Sequence, residues 1–357
     1  MRKPYVLLLH RGLLRGLLPG LFLGLLLGLF LAAGTVPAHA ADNGSWSVYP
    51  VSSRIAARPY FYLSADPGQT ITDKVVVANK TGEPLTFRLY AADAYNTARD
   101  GGFAVRTVKE RMRGVGAWAR PAKSRITVPG HKKITVPFTL RVPQGAEPGD
   151  HPGAIVALDE RVEKGAAKGG GSLALGVQRA VGARVYLRVG GPTLPAVAVE
   201  NVRVTHHQPL VPGLGDSTAT VSYTLHNTGN VTLDPKVRLE ATGMFGRTLL
   251  ARDLTKIPSE LLPGQRVRLS EPWRGAPQFD WGDVRLTASA TGTRESASAS
   301  FFALPWLVVA VVFAAGVAAG ALLRARRGRA RPSAPVRPSP PAEPTPSRPR
   351  SSPSARP

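Results

Sequence analysis

Between residues 106 and 133 the chain gathers cations around one indole: Arg106, Lys109, Arg111, Arg113, Arg120, Lys123, Arg125, Lys132 and Lys133, with Trp118 among them and Glu110 as the only acid. Such a surface attracts anionic polymers, and an indole stacks on a sugar face, each contact contributing about 1 kcal/mol. The ligand these residues imply is peptidoglycan or an anionic polymer attached to it. A competing reading places Trp118 in a core and the cations on a solvated loop. Catalytic patterns are missing from the segment after residue 40: it has no HExxH, no GxSxG and no Ser-x-x-Lys, and the whole chain has no cysteine. Asp150-His151 could join Asp159 or Glu160 around a metal, but a Pro-Gly-Asp-His-Pro-Gly corner also uses its Asp to cap the turn. His206-His207 adjoin each other on an expected strand and so point to opposite faces. The chain therefore reads as a non-enzyme without cofactor or metal.

The elements that would position these groups are strands. Ile134, Val136, Phe138, Leu140 and Val142 alternate with Thr135, Pro137, Thr139 and Arg141, a period of two with one face in a core. Pro137 lacks a ladder donor and predicts an edge strand there. Val185, Leu187 and Val189 alternate with Arg184, Tyr186 and Arg188 in the same way, while 143–152 reads as a long corner and Lys164–Ser172 as a mobile tip. Strand, Asn/Gly turn, strand occurs twice: Ile71–Ala78 then Asn79-Lys80-Thr81-Gly82, and Ala219–Leu225 then Asn227-Thr228-Gly229-Asn230. Pro129-Gly130 and Pro263-Gly264 echo each other further on. Short strands with regular turn signals predict an all-β chain of two tandem immunoglobulin-like sandwiches, over 46–192 and 193–303, followed by one transmembrane helix.

That helix is expected over 304–323, a run without charge that matches a bilayer core in length. Arg324, Arg326, Arg327, Arg329 and Arg331 follow it, which places the carboxyl end in the cytoplasm and the sandwiches outside. Gly316 and Gly320 form a small-xxx-small pair suited to helix dimerisation, a spacing that also arises by chance in Ala/Gly-rich spans. Residues 1–40 read as a signal peptide cleaved after Ala40, and 324–357 as a basic, Pro-rich disordered tail. These end segments hold thirteen of the 46 Lys and Arg residues, so about half of the net charge of +23 remains between them. Outside a cell that excess favours wall polymers or lipid headgroups over nucleic acid.

Several features resemble the WxL-interacting protein family at the level of its actinobacterial membrane-anchored members. They are Tyr49-Pro50, Pro67-Gly68-Gln69 leading to Val75–Asn79, Tyr90–Tyr95, Gly101-Gly102-Phe103, Trp118, and Val142-Pro143 through Pro148–His151, which together cover about Trp46 to Arg161. The resemblance implies a peptidoglycan-binding immunoglobulin-like domain, a second such domain, a membrane helix and a short basic cytoplasmic tail. The expected protein is a single-pass cell-surface protein that tethers wall to membrane or presents its second sandwich. The alternative is an extracellular scaffold or adhesin that captures a secreted partner by β-strand addition at an open edge. A pilus-type assembly chaperone, also built of tandem sandwiches, is set aside because of the membrane helix.

Overall fold

The computed structural model describes residues 41–52, 58–164, 176–209, 211 and 215–329. The expected signal segment, most of the expected mobile tip and the tail from residue 330 lie outside the described residues.

The first sandwich begins with β1 (Ala41–Asp42), β2 (Trp46–Pro50), β3 (Phe61–Ala65), β4 (Thr70–Asn79), β5 (Leu85–Asn96) and β6 (Phe103–Val105). A single-turn helix, α1 (Val115–Trp118), leads into β7 (Ala119–Pro121), β8 (Arg125–Val128), β9 (Lys133–Arg141) and β10 (Gly149–Asp159). A short pair, β11 (Glu163–Lys164) and β12 (Gly176–Val177), precedes β13 (Ala180–Val189). One sheet has the order β1-β2-β4-β9-β7, and the facing sheet β3-β13-β10-β5-β6, with β8 also on β5. Every pairing is antiparallel except that of β3 with β13. The period of two in β9 is realised as expected: Val136, Phe138 and Leu140 are buried while Lys133, Thr135 and Pro137 are exposed.

Aromatic pairs join the sheets. Phe61 of β3 meets Phe138 of β9 edge-on at 5.1 Å, and Trp46 of β2 meets Phe87 of β5 at 5.2 Å. All four are buried. In a chain without cysteine such packing replaces a cross-link, each ring contributing about 1.5–3 kcal/mol by burial.

The second sandwich comprises β14 (Val197–His207), β15 (Thr218–Asn227), β16 (Lys236–Thr242), β17 (Thr248–Asp253), β18 (Arg266–Arg274), β19 (Asp280–Ala290) and β20 (Thr293–Ala303). Its sheets are β14-β15-β18 and β17-β16-β19-β20. Leu225, Leu239, Leu261, Trp273, Leu286 and Phe301 fill the core.

The two Asn/Gly turns do the same work in each sandwich. Asn79 Oδ1 accepts from Thr81 N while its Nδ2 donates to the carbonyls of Glu83 and Val128. Asn227 Oδ1 accepts from Gly229 N while its Nδ2 donates to Val231 and Leu261. In both, a buried amide at the end of a strand satisfies one carbonyl four residues on and one on a distant segment, which explains why the sequence repeats there.

Three expectations change. β9 is not an edge: β7 covers Phe138–Leu140, and Ala122 N donates to the Pro137 carbonyl. Proline is tolerated because β7 ends at that point. The second half of the expected corner at 143–152 is strand, since Gly149–Pro152 pair with Val189–Tyr186. Trp118 packs partly buried against the core and lies 4.7 Å from the His151 ring, so its indole is not a free platform.

Beyond β20, α2 (Trp306–Arg329) contains one candidate spanning stretch, Trp306–Arg327. By length and composition alone it is long and apolar enough to cross a bilayer. Gly316 and Gly320 lie on one of its faces with open space around them.

Candidate functional site

Strand β3 stands at the end of its sheet. It bonds along one side to β13, from Phe61 opposite Val185 to Ala65 opposite Val189, and its other side has no strand partner among the described residues. Phe61 and Ala65 turn inward, whereas Tyr62 turns outward and is 65% exposed. Both ends are held. Arg58 reaches both oxygens of Asp73 on β4 at 3.0 Å and lies over the Phe61 ring. After Ala65, the turn at Asp66–Gln69 closes on itself through Gln69 N to Asp66 O and Asp66 N to Gln69 Oε1. Gly68 sits at φ 84° there, a conformation that glycine adopts without steric cost.

Beside this edge lies an aromatic platform. The alternation that buries Val185 and Leu187 turns Arg184, Tyr186 and Arg188 outward. Tyr62 stacks on Tyr186 at 5.3 Å and 12°, Tyr60 meets both edge-on, and Arg184 lies 4.2 Å above the Phe103 ring. Tyr186 Oη donates to the Glu260 carboxylate at 2.9 Å and accepts from Arg184 at 3.1 Å. Burial pushes the Tyr186 hydroxyl above its ordinary value; Arg184 opposes this and Glu260 adds to it. A recess of about 520 Å³ opens alongside, lined by Tyr62, Ser64, Tyr186, Asp150, Arg188 and Thr232.

Residues of both sandwiches build the floor of this region. Asp150 accepts from Arg188 at 2.7 Å and from Thr232 N at 2.8 Å. Asn230 Nδ2 donates to the carbonyls of Pro148 and Pro192, and its Oδ1 accepts from Leu194 N. Asn96 donates to the carbonyls of Gly101 and Glu260 and accepts from Leu262 N at 2.8 Å, all with buried or part-buried partners.

The cations expected to form one surface are distributed over several elements. Arg120 is on β7 in the first sheet, where it caps the carbonyls of Gly116 and Ala119. Arg125 is on β8 in the facing sheet, bonded to Glu160. Arg106 pairs with Glu110 and lies 5.8 Å from the Tyr95 ring, and Lys109, Arg111 and Arg113 follow in the exposed loop before α1. That loop is anchored by Asp93, whose carboxylate accepts from Arg113 N, Gly114 N and Gly116 N. Lys123 is exposed before β8, and Lys132 and Lys133 are exposed at the start of β9.

Among the described residues no group of three or more His, Cys, Asp or Glu side chains could hold a metal. Asp150 is engaged by Arg188, and Asp159 by Arg161. Reading the sequence missed Tyr60, Tyr62, Tyr186, Arg184 and Glu260. The outward alternation on β13 signalled Arg184 and Tyr186, but nothing in the linear chain places Glu260 against them from 74 residues away.

No family model matches the chain, and no curated protein matches it. Among solved structures it is similar to a chain of a chaperone–tip adhesin complex in CFA/I fimbriae biogenesis, at 8% identity and TM-score 0.34, over 73% of this chain and 99% of that one. It is also similar to a chain of the CsuC–CsuE chaperone–tip adhesion subunit pre-assembly complex of Acinetobacter baumannii Csu pili, at 9% identity and TM-score 0.33, over 71% and 98%. A third is the CupB2 chaperone of Pseudomonas aeruginosa, at 9% identity and TM-score 0.26, over 68% and 97%. The likeness is one of fold, two tandem immunoglobulin-like sandwiches.

The expected membership of the WxL-interacting family is corrected: no family model supports it, and the solved structures that the chain is similar to are pilus chaperones. The wall-tethering function falls with it, as does the single-pass cell-surface localisation with outer sandwiches and a cytoplasmic tail.

Proposed function

We propose that this protein is a binding scaffold for another, secreted protein, which adds an extended segment to the free edge of β3. The observation that carries the reading is the one-sided pairing of β3 together with the outward, exposed Tyr62 stacked on Tyr186. An incoming strand bonds to the backbone groups along that edge, which have no strand partner among the described residues, while its alternate side chains settle on the tyrosines or into the recess near Asp150 and Arg188. Backbone bonding supplies affinity in such a mode and the side-chain pockets supply selectivity. The platform is suited to this because tyrosine offers a large contact area at little entropic cost. Arg184 and Glu260 hold Tyr186 from behind, so little ordering is left to occur on binding.

A photo-crosslinking residue at Tyr62 or Ser64, in cells that make the protein, tests this against the same residue at Thr135, which is exposed on the opposite sheet. The expected result is a discrete protein adduct from β3 alone, with slowed amide exchange over Phe61–Ala65 in the purified complex. Equal adducts from Thr135, or unchanged exchange in β3, would overturn the proposal.

A further inference from the structure

The outer face of the sheet β14-β15-β18 in the second sandwich carries a recess separate from β3. Val199, Val221, Leu225, Val267 and Leu269 turn into the core, so the residues alternating with them face outward. Along that face Arg203 stands opposite Ser222 and Ser222 opposite Ser270; in the next row Glu200 stands opposite Thr224 and Thr224 opposite Arg268. Arg203 and Arg268 therefore occupy diagonal corners of a patch whose centre, Ser222 and Thr224, holds only short hydroxyl side chains. A recess of about 450 Å³ opens there, with Asn201, Arg203, Ser222, Thr224, Arg268 and Ser270 in its lining.

The ladder is irregular at this place. β14 carries one residue more than β15 between Glu200 and Arg203, a β-bulge. The bulge holds Asn201 at φ 54°, a left-handed conformation that asparagine adopts more readily than most residues with a side chain. Val202 and Val204 still pack on the core beyond it and Arg203 stays exposed, while the extra residue adds the amide of Asn201 to the lining of the recess. Bulges re-aim side chains in this manner beside functional sites.

Charge is unbalanced at the same place. Arg266, two residues before Arg268 on the same face, shares the Glu200 carboxylate with His226, whose Nδ1 lies 2.8 Å from it. That engages the only acid in the two rows. Arg203 and Arg268 have no acidic partner among the described residues, and no acid lines the recess. Two guanidinium forks, the hydroxyls of Ser222 and Ser270 and the amide of Asn201 are together a set of donors for an oxyanion. Donors converging from opposite corners suit a tetrahedral group better than a planar carboxylate, whose two oxygens a single guanidinium already takes. The volume falls in the range of small-molecule sites. We propose that this recess binds a phosphate group between Arg203 and Arg268, presented as the free ion or as the phosphate monoester of a small molecule.

The experiment titrates the full chain with inorganic phosphate by calorimetry, in an organic amine buffer with chloride holding the ionic strength constant. Saturable binding is expected, weakened about ten-fold in Arg203→Gln and in Arg268→Gln, each of which loses charge-assisted bonds to the ligand. Arg285→Gln, at an exposed position on the other sheet, removes the same charge and is expected to leave binding unchanged. All three arginines are exposed, so each variant should keep a cooperative thermal transition near that of wild type, which separates a lost site from a lost fold. Glycerol phosphate distinguishes the two sources: binding tighter than that of inorganic phosphate identifies the monoester, and weaker binding the free ion. Absence of saturable binding by either probe, or equal weakening by Arg285→Gln, overturns the proposal.

Discussion

At the scale of single residues, buried polar groups with several partners decide local structure. Asn227 satisfies two buried carbonyls and one backbone amide at once, so Asn227→Ala takes this partner from the Val231 carbonyl and leaves the Leu261 carbonyl with Leu233 N alone. The expected loss is about 3 kcal/mol in denaturant unfolding, with a similar loss for Asn79→Ala, whose amide has matching partners. Asp280 provides a pH-dependent case. Burial pushes its carboxyl up, but the bonds from Met244 N, Arg247 and Trp281 N outweigh burial and hold it below the ordinary carboxylate value. A depressed folded value stabilises the protein fully above the unfolded value of about 4 and loses that contribution as pH falls through the lower folded value. Acid titration of Asp280→Asn should therefore show a flatter stability decline below about pH 4 than wild type. An unchanged acid limb would remove Asp280 from this role. The sequence identified the Asn turns at both sites because turn chemistry is local. Asp280 is invisible to such reading, since Met244 and Arg247 reach it from the turn after β16, more than thirty residues earlier.

At the scale of elements, the strands were readable and their neighbours were not. The alternation in β9 and β13 shows which side chains enter the core, because the pleat alternates whatever lies beside it. Whether a strand is an edge depends on partners brought from elsewhere. Pro137 signalled an edge in β9, yet β7 pairs just past it. The actual free edge, β3, is a five-residue strand whose only strand partner among the described residues lies more than a hundred residues later and runs parallel to it. The Phe61–Phe138 contact ties this strand across the sandwich. Phe61→Ala should cost about 3–5 kcal/mol, and a double-mutant cycle with Phe138→Ala should show about 1 kcal/mol of coupling. If the two costs are additive, the rings pack independently and β3 is held by its backbone alone.

At the scale of the whole molecule, the two sandwiches share a polar seam through Asn96, Asp150, Asn230, Arg184, Tyr186 and Glu260. Asn96→Ala leaves Leu262 N and the Gly101 and Glu260 carbonyls without this partner. Calorimetry of the full chain should then resolve two unfolding transitions where wild type shows one, because the cooperative link between sandwiches is weakened. One transition for both proteins would mean that the link between the sandwiches does not depend on Asn96. By itself, the order of residues determined a cysteine-free chain of two β-sandwiches, because period and turn residues are properties of neighbours along the chain. Only the folded arrangement decided that the concentrated cations are spread over both sheets and the loops between them, that Trp118 packs against a core, and that β3 has one strand partner among the described residues, with a tyrosine platform beside it. Those features arise from groups far apart in the chain meeting in space, which neither composition nor spacing encodes.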